Sequence, residues 1–309
     1  PQRELREVVR YRQSLVQERT RFVQRLEKVL EGSNLKLYAV VSKIQGASAQ
    51  AILRALLQGE SDPQRLADLA YGALRKKRTE LEAALEGELS EHQRFLLDNL
   101  LQHIAFIDEQ LAQVEERIDA QLARLPGAFQ SAVNLLDSIP GVNRHTAILM
   151  VAEMGVDMTR FPTHRHLAAW AGVAQGNNET GGKQRSSRAR KGNKYLRTAL
   201  ILAARSAALS KKTYLHALYA RLAARRGKPR AEMAVAHSML QSAYFMLKRG
   251  ESYQELGQDY LDRLDRDRTA KRLLRRLQNL GYAVQLQDRE QETASVDPAG
   301  KDPPLPLAA

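Results

Sequence analysis

Between Gly176 and Arg197 the chain reads GNNETGGKQRSSRARKGNKYLR. Asn177, Asn178 and Glu179 open the stretch, and Gly181 and Gly182 follow. Then come Lys183, Arg185, Arg188, Arg190, Lys191, Lys194 and Arg197, with no acid after Glu179. Glycine and asparagine accept left-handed backbone conformations, and glycine lets a backbone approach a ligand closely. Two glycine-marked turns, the small hydroxyls of Thr180, Ser186 and Ser187, and a run of cations together suit a phosphodiester. Lys183, Arg185 and Arg190 are the candidate clamps, lysine as a point charge and arginine through paired hydrogen bonds. A solvated basic loop with no ligand is the competing reading.

A second stretch could also hold phosphate. Leu135 to Ala147 reads LLDSIPGVNRHTA, an apolar helix end, a tight Ile-Pro-Gly-Val turn and the start of another helix. This is the form of a helix-hairpin-helix, which holds a phosphate on hairpin N–H groups and the positive end of the second helix. Gly141, Asn143 and Arg144 are its candidate contacts. The usual pattern has a second glycine where Asn143 stands, and asparagine is the best substitute if φ there is positive. Such contacts position a backbone without reading bases. An αα-corner with no ligand is the alternative. His164 and His166 are two apart on an expected helix and face different ways, so capping or exposed roles suit them better than metal binding. No metal site is expected.

The elements that must carry these stretches are helical. Leu5, Val8 or Val9, Leu15 or Val16, Phe22 or Val23, Leu26, and Val29 or Leu30 recur at roughly helical spacing from Arg3 to Glu31, and Gly32-Ser33-Asn34 ends that helix. Asp62-Pro63 opens a short helix as cap and first residue. From Glu88 to Leu125, Leu97, Leu100, Ile104, Ile107, Leu111, Val114 and Ile118 step by threes and fours, a coiled-coil seam stopped by Pro126-Gly127. Antiparallel pairing with Arg3–Glu31 is the expected geometry, and an ordinary bundle is the alternative. Trp170, the sole tryptophan, is read as core beside Leu167, Ala171 and Val173. Tyr260 to Leu280 reads as one charged helix, and the tail after about Asp288 as disordered.

Charge is partitioned along the chain. Residues 1–125 hold 19 basic and 19 acidic side chains, whereas residues 137–250 hold 20 and 5, a net of +15. A local excess of that kind is the footprint of a nucleic-acid binder. The chain has no cysteine, which excludes disulfides and thiolate metal sites and fits a cytoplasmic location. No apolar run reaches the ~20 residues needed to span a bilayer, so no membrane partner is expected.

The order of these motifs resembles the bridge-RNA-guided insertion-sequence transposases of the IS-one-ten family, and within them the IS-eleven-eleven group. The resemblance rests on Phe161-Pro162, His166-Leu167-Ala168-Ala169-Trp170-Ala171-Gly172, Asn177-Asn178-Glu179 with Gly182-Lys183, and Arg190-Lys191-Gly192-Asn193. Downstream it continues through Leu222–Lys228 and Ala234–Ser238, and it covers Pro1 to about Tyr282. It implies a mainly α fold: a coiled-coil arm (1–126), a helix-hairpin-helix (127–157), a basic transposase domain (158–282) and a tail (283–309). It implies DNA as partner, a structured guide RNA, and homo-oligomerisation through the coiled coil. In that family a serine follows the Asn-Asn-Glu segment as nucleophile. Here the matching residue is Thr180, whose methyl restricts χ1 and crowds in-line attack. Arg188, Lys191, Asn193 and Lys194 join the clamps as implied nucleic-acid contacts. Family members also begin with a carboxylate domain that holds Mg2+. These 309 residues show none of it, so the chain reads as a fragment with no cofactor of its own. Two readings stand: part of a DNA recombinase, and a non-catalytic nucleic-acid-binding module derived from one.

Overall fold

The computed structural model describes residues 2–41, 43–176, 178–186, 189 and 191–284, without the side chains of Asn178, Glu179, Gln184, Arg185 and Ser186. The fold is mainly α, as expected. Residues 1–258 form one compact unit and residues from Asp259 a second.

Helix α1 (Gln2–Gly32) is followed by a turn in which Asn34 takes a left-handed φ of 57°. Short helices α2 (Leu37–Val40), α3 (Ala47–Leu57), α4 (Pro63–Asp68) and α5 (Arg78–Ala84) follow. The expected cap at Asp62 is present, accepting from the N–H of Gln64 at 2.9 Å. Long helix α6 (Glu91–Arg124) starts from a reciprocal capping box between Ser90 and Gln93.

Helices α1 and α6 lie antiparallel, because Arg12 bonds Glu115 (2.6 Å), Arg19 pairs with Asp108, and Phe22 stacks on His103 (4.9 Å). Leu97, Ile104, Ile107, Val114 and Ile118 of the seam are all buried within this one chain. At the far end, Leu26 and Leu30 join Leu97 and Ile104 in a core closed by Leu37, Ile52, Leu53, Leu66 and Leu81 of the short helices. Burying such leucines stabilises by about 1.5–3 kcal/mol each against exposure, before chain entropy is counted.

After Pro126 the chain restarts as α7 (Gly127–Asp137), turns, and enters α8 (Arg144–Met154), which is buried from Ala147 to Met154. Helix α9 (His164–Ala171) ends at Gly172 with φ 76°. Strands β1 (Asn178–Thr180) and β2 (Lys183–Ser186) pair antiparallel around Gly181-Gly182, whose φ values are 58° and 73°. Helices α10 (Lys194–Ala207), α11 (Tyr214–Arg226) and α12 (Lys228–Arg249) complete the first unit. The alanines of α10 (Ala199, Ala203, Ala204 and Ala207) are buried and permit the close helix packing their size suggests.

In the second unit the expected single helix is two, α13 (Tyr260–Leu264) and α14 (Arg266–Asn279). Asp265 breaks it, with φ −136° and ψ 62°, outside the helical region. Of the expected tail (283–309), residues 285–309 lie outside the described residues.

Candidate nucleic-acid interface

The two stretches that could hold phosphate are built differently. In the first, Thr180 and Lys183 are direct cross-strand partners at the tip of the β1–β2 hairpin, flanking the two glycines, and all four residues are exposed. Cross-strand partners share a face, so the two side chains leave the hairpin on the same side of a turn whose left-handed φ values favour glycine. Asn177, Ser187, Arg188 and Arg190 lie outside the described residues, as do the side chains of Arg185 and Ser186.

After the hairpin, the segment that opens α10 is held by a crossing of two chain segments. Asn193 donates its backbone N–H to the Trp170 carbonyl at 3.0 Å. A Cβ on Gly192 would lie 2.6 Å from that same carbonyl oxygen and as close to the Cα of Gly172, so only glycine fits. The crossing sets Lys191 and Lys194 beside α9.

Below the crossing sits a buried carboxylate that the sequence reading missed. Glu153, on α8, is 4% exposed. Arg10 of α1 donates to both of its oxygens, from Nε at 2.7 Å and from Nη2 at 2.8 Å. The Asn193 side-chain amide donates to it at 2.6 Å, while the Asn193 oxygen caps α10 by accepting from the N–H groups of Tyr195 and Leu196. Arg6 donates to the backbone carbonyls of Ala152 and Glu153. The Arg10 guanidinium also lies 4.4 Å from the Tyr195 ring centroid, a cation–π contact. Hydrogen bonding to Glu153 outweighs desolvation and holds the Arg10 pKa above its ordinary value. One carboxylate therefore ties α1 and α8 to the start of α10. Asn193, expected to touch nucleic acid, is engaged as cap and tie.

Residues 133–220 match the model of the transposase IS116/IS110/IS902 family. No curated protein matches the chain. The transposase-family segment takes in the end of α7, the turn, α8, α9, the β-hairpin, α10 and part of α11. It contains every candidate site residue named from the sequence, as well as Glu153. The arm and α12 lie beyond it.

Within the transposase-family segment the α7–α8 turn departs from expectation in one respect. Asn143 has φ −108°, not a positive value. It is the N-cap of α8, accepting from the N–H of Thr146 at 2.9 Å. The positive φ falls on Gly141 (88°), and a Cβ there would lie 2.5 Å from the backbone nitrogen of Ala207 on α10. Gly141 thus serves helix packing. Arg144 donates to Asp119 of α6 at 2.8 Å, and His145 stands 3.8 Å from Glu115, so two carboxylates flank this end of α8.

Trp170 also departs from its reading as core: it is 40% exposed. Leu167, Ala168 and Ala171 form the buried stripe of α9, and Trp170 lies off that stripe on the helical wheel. His166 accepts or donates at Thr163 Oγ1 (2.9 Å) beside the helix start, and His164 packs against the rings of Tyr244 and Phe245. Among the described residues no group of three or more His, Asp or Glu side chains could hold a metal ion. No described helix is long and apolar enough to cross a membrane.

Proposed function

We propose that this chain is the arm and transposase portion of an insertion-sequence recombinase that breaks and rejoins DNA through a hydroxyl nucleophile, working with a structured guide RNA in the cytoplasm. The observation that carries the reading is the pairing of Thr180 with Lys183 at an exposed hairpin tip inside the transposase-family segment. In the proposed step Thr180 Oγ1 attacks a DNA phosphorus, a P–O ester bond to the leaving strand breaks, and the threonine proton goes to the departing sugar oxygen. One phosphodiester replaces another, so the released hydroxyl can reverse the step without an external energy source. Lys183 balances charge on the phosphoryl oxygens, and Arg185, Arg188, Arg190, Lys191 and Lys194 extend the cationic track. Gly141, Asn143 and Arg144, at the α7–α8 turn, would give a further and separate backbone contact. The described residues do not fit a Mg2+ site, so the metal of this reading belongs with carboxylates outside them. Homo-oligomerisation through the arm would use its outward face, where Phe95 and Phe106 are exposed, since the seam is occupied within the chain.

The test is a denaturing gel that resolves protein covalently attached to labelled DNA, with the carboxylate domain, Mg2+, guide RNA and element ends supplied. Thr180→Ser is expected to raise the adduct and Thr180→Ala to abolish it. An adduct that survives Thr180→Ala and disappears with Ser186→Ala overturns the nucleophile assignment. A second reading, a nucleic-acid-binding module without catalysis, draws on the threonine itself. It predicts salt-sensitive binding with no adduct from either the natural protein or Thr180→Ser.

A further inference from the structure

A cleft of about 540 Å3 opens between α9 and α10, with Trp170 on one side and Lys191, Lys194 and Tyr195 on the other. Its floor is the Gly192 crossing, which sets the two lysines against the tryptophan. Phe161 backs the indole, ring centroids 5.5 Å apart, so the exposed ring is held rather than free. Lys191 and Lys194 are both exposed and pair with no described carboxylate. Arg10 also lines the cleft, but its charge is matched by Glu153, so it serves as wall. Among the described residues no acidic side chain lines the cleft.

A flat aromatic plate beside two cations that no described carboxylate matches, Lys194 lying 4.9 Å from the Tyr195 ring centroid, in a volume suited to a small-molecule-sized group, is complementary to an anion that carries its own π-face. We infer that this cleft binds one unpaired nucleotide of a DNA strand, with the base stacked on Trp170 and the adjoining phosphates held by Lys191 and Lys194. In a duplex each base face is already covered by its neighbours, so the indole would be reached only by an unpaired base. An acidic peptide could meet the lysines but would leave the indole face without a partner. The inference rests on the reading that this segment handles DNA, and it adds that the strand is unpaired beside the basic track.

Trp170 is the only tryptophan, so its fluorescence reports this cleft alone. The protein is titrated with an oligo(dT) strand, the same strand with abasic sites, a blunt duplex, oligo(rU) and polyglutamate, while anisotropy of labelled strands reports total binding. Oligo(dT) is expected to quench Trp170, and the abasic strand and duplex to leave it nearly unchanged. Trp170→Leu is expected to weaken oligo(dT) binding roughly tenfold, with Trp170→Phe retaining most of it. Lys191→Gln with Lys194→Gln lowers the salt slope of strand binding by about one to one and a half, and keeps the test open should Trp170→Leu fail to fold. Equal quenching by the abasic strand or by polyglutamate overturns the stacked nucleotide, and stronger binding of oligo(rU) overturns the assignment to DNA. Salt-dependent duplex binding with Trp170 silent toward every single strand sinks this inference and leaves the proposed function standing. No binding of any nucleic acid sinks both.

Discussion

Among single residues, Glu153 carries the largest structural consequence. A buried carboxylate is tolerated only when its lone pairs are filled, and here Arg10 and Asn193 fill them. Arg10→Ala removes the bidentate partner, and losing one side of a buried pair costs roughly 3–5 kcal/mol. Because Arg10 is about a third exposed, the low end is expected, about 3 kcal/mol, read as a shifted denaturation midpoint. Glu153→Gln keeps the shape and one acceptor and is expected to cost less than Arg10→Ala. If Arg10→Ala leaves the midpoint unchanged, the tie between α1 and α8 is not what holds them. This residue was illegible in the sequence for a plain reason: its partner on α1 is 143 positions away, and nothing local distinguishes Glu153 from any solvated glutamate. Asn193 was legible as a candidate contact, whereas its bond to Glu153 was not, since an asparagine opening a basic helix fits cap and ligand equally well.

At the level of elements, local rules went furthest. The cap at Asp62, the stop after Gly32 and the seam of α6 follow from turn chemistry and periodicity, and each is present. Direction was harder. The spacing around Trp170 placed apolar neighbours near it without saying which side of an eight-residue helix meets the core. The seam likewise named its residues, but whether a neighbouring helix or a second chain covers them depends on how the arm folds back. Here α1 covers it. Ile104→Asp should therefore lower the helicity and melting temperature of the arm in a concentration-independent way, because a charge is forced into an intramolecular core. Melting that depends on protein concentration in the natural protein, and loses that dependence with Ile104→Asp, would show the seam to be intermolecular. The two close glycines give a paired test. Gly141→Ala meets both a φ of 88° and the backbone of α10, and is expected to cost about 2–4 kcal/mol. Gly192→Ala should displace the basic segment from α9 and abolish the Trp170 response to oligo(dT), while the α1–α6 arm keeps its helicity.

For the whole molecule, charge and proton balance decide behaviour. A net of +15 over residues 137–250 against zero over residues 1–125 predicts nucleic-acid affinity that falls steeply with salt and resides in the basic body. Binding that is flat between low and physiological salt would remove that reading. The proton balance concerns three histidines whose pKa values are all held below the ordinary 6.5. For His237 on α12 burial is the main cause, followed by repulsion from His164 across the α9–α12 contact. For His164 burial again leads, followed by the Arg165 charge. For His145 burial leads, followed by the Arg12 charge, with Glu115 opposing. A base whose folded pKa is depressed binds fewer protons folded than unfolded, so stability increases with pH. The contribution is complete above the unfolded value near 6.5, and it is lost as pH falls from there through the folded values. Carboxylates ordinarily protonate at lower pH, so the window just below 6.5 isolates the histidines. The melting temperature is thus expected to fall between pH 7 and pH 5. His237→Gln should flatten part of that fall, since it removes one half-buried base and relieves its repulsion with His164. His164→Gln should flatten it less, and the double variant should add little beyond His237→Gln if the two titrate as a coupled pair. A melting temperature that drops equally in all four proteins would place the proton uptake elsewhere and leave the α9–α12 contact without a role in it.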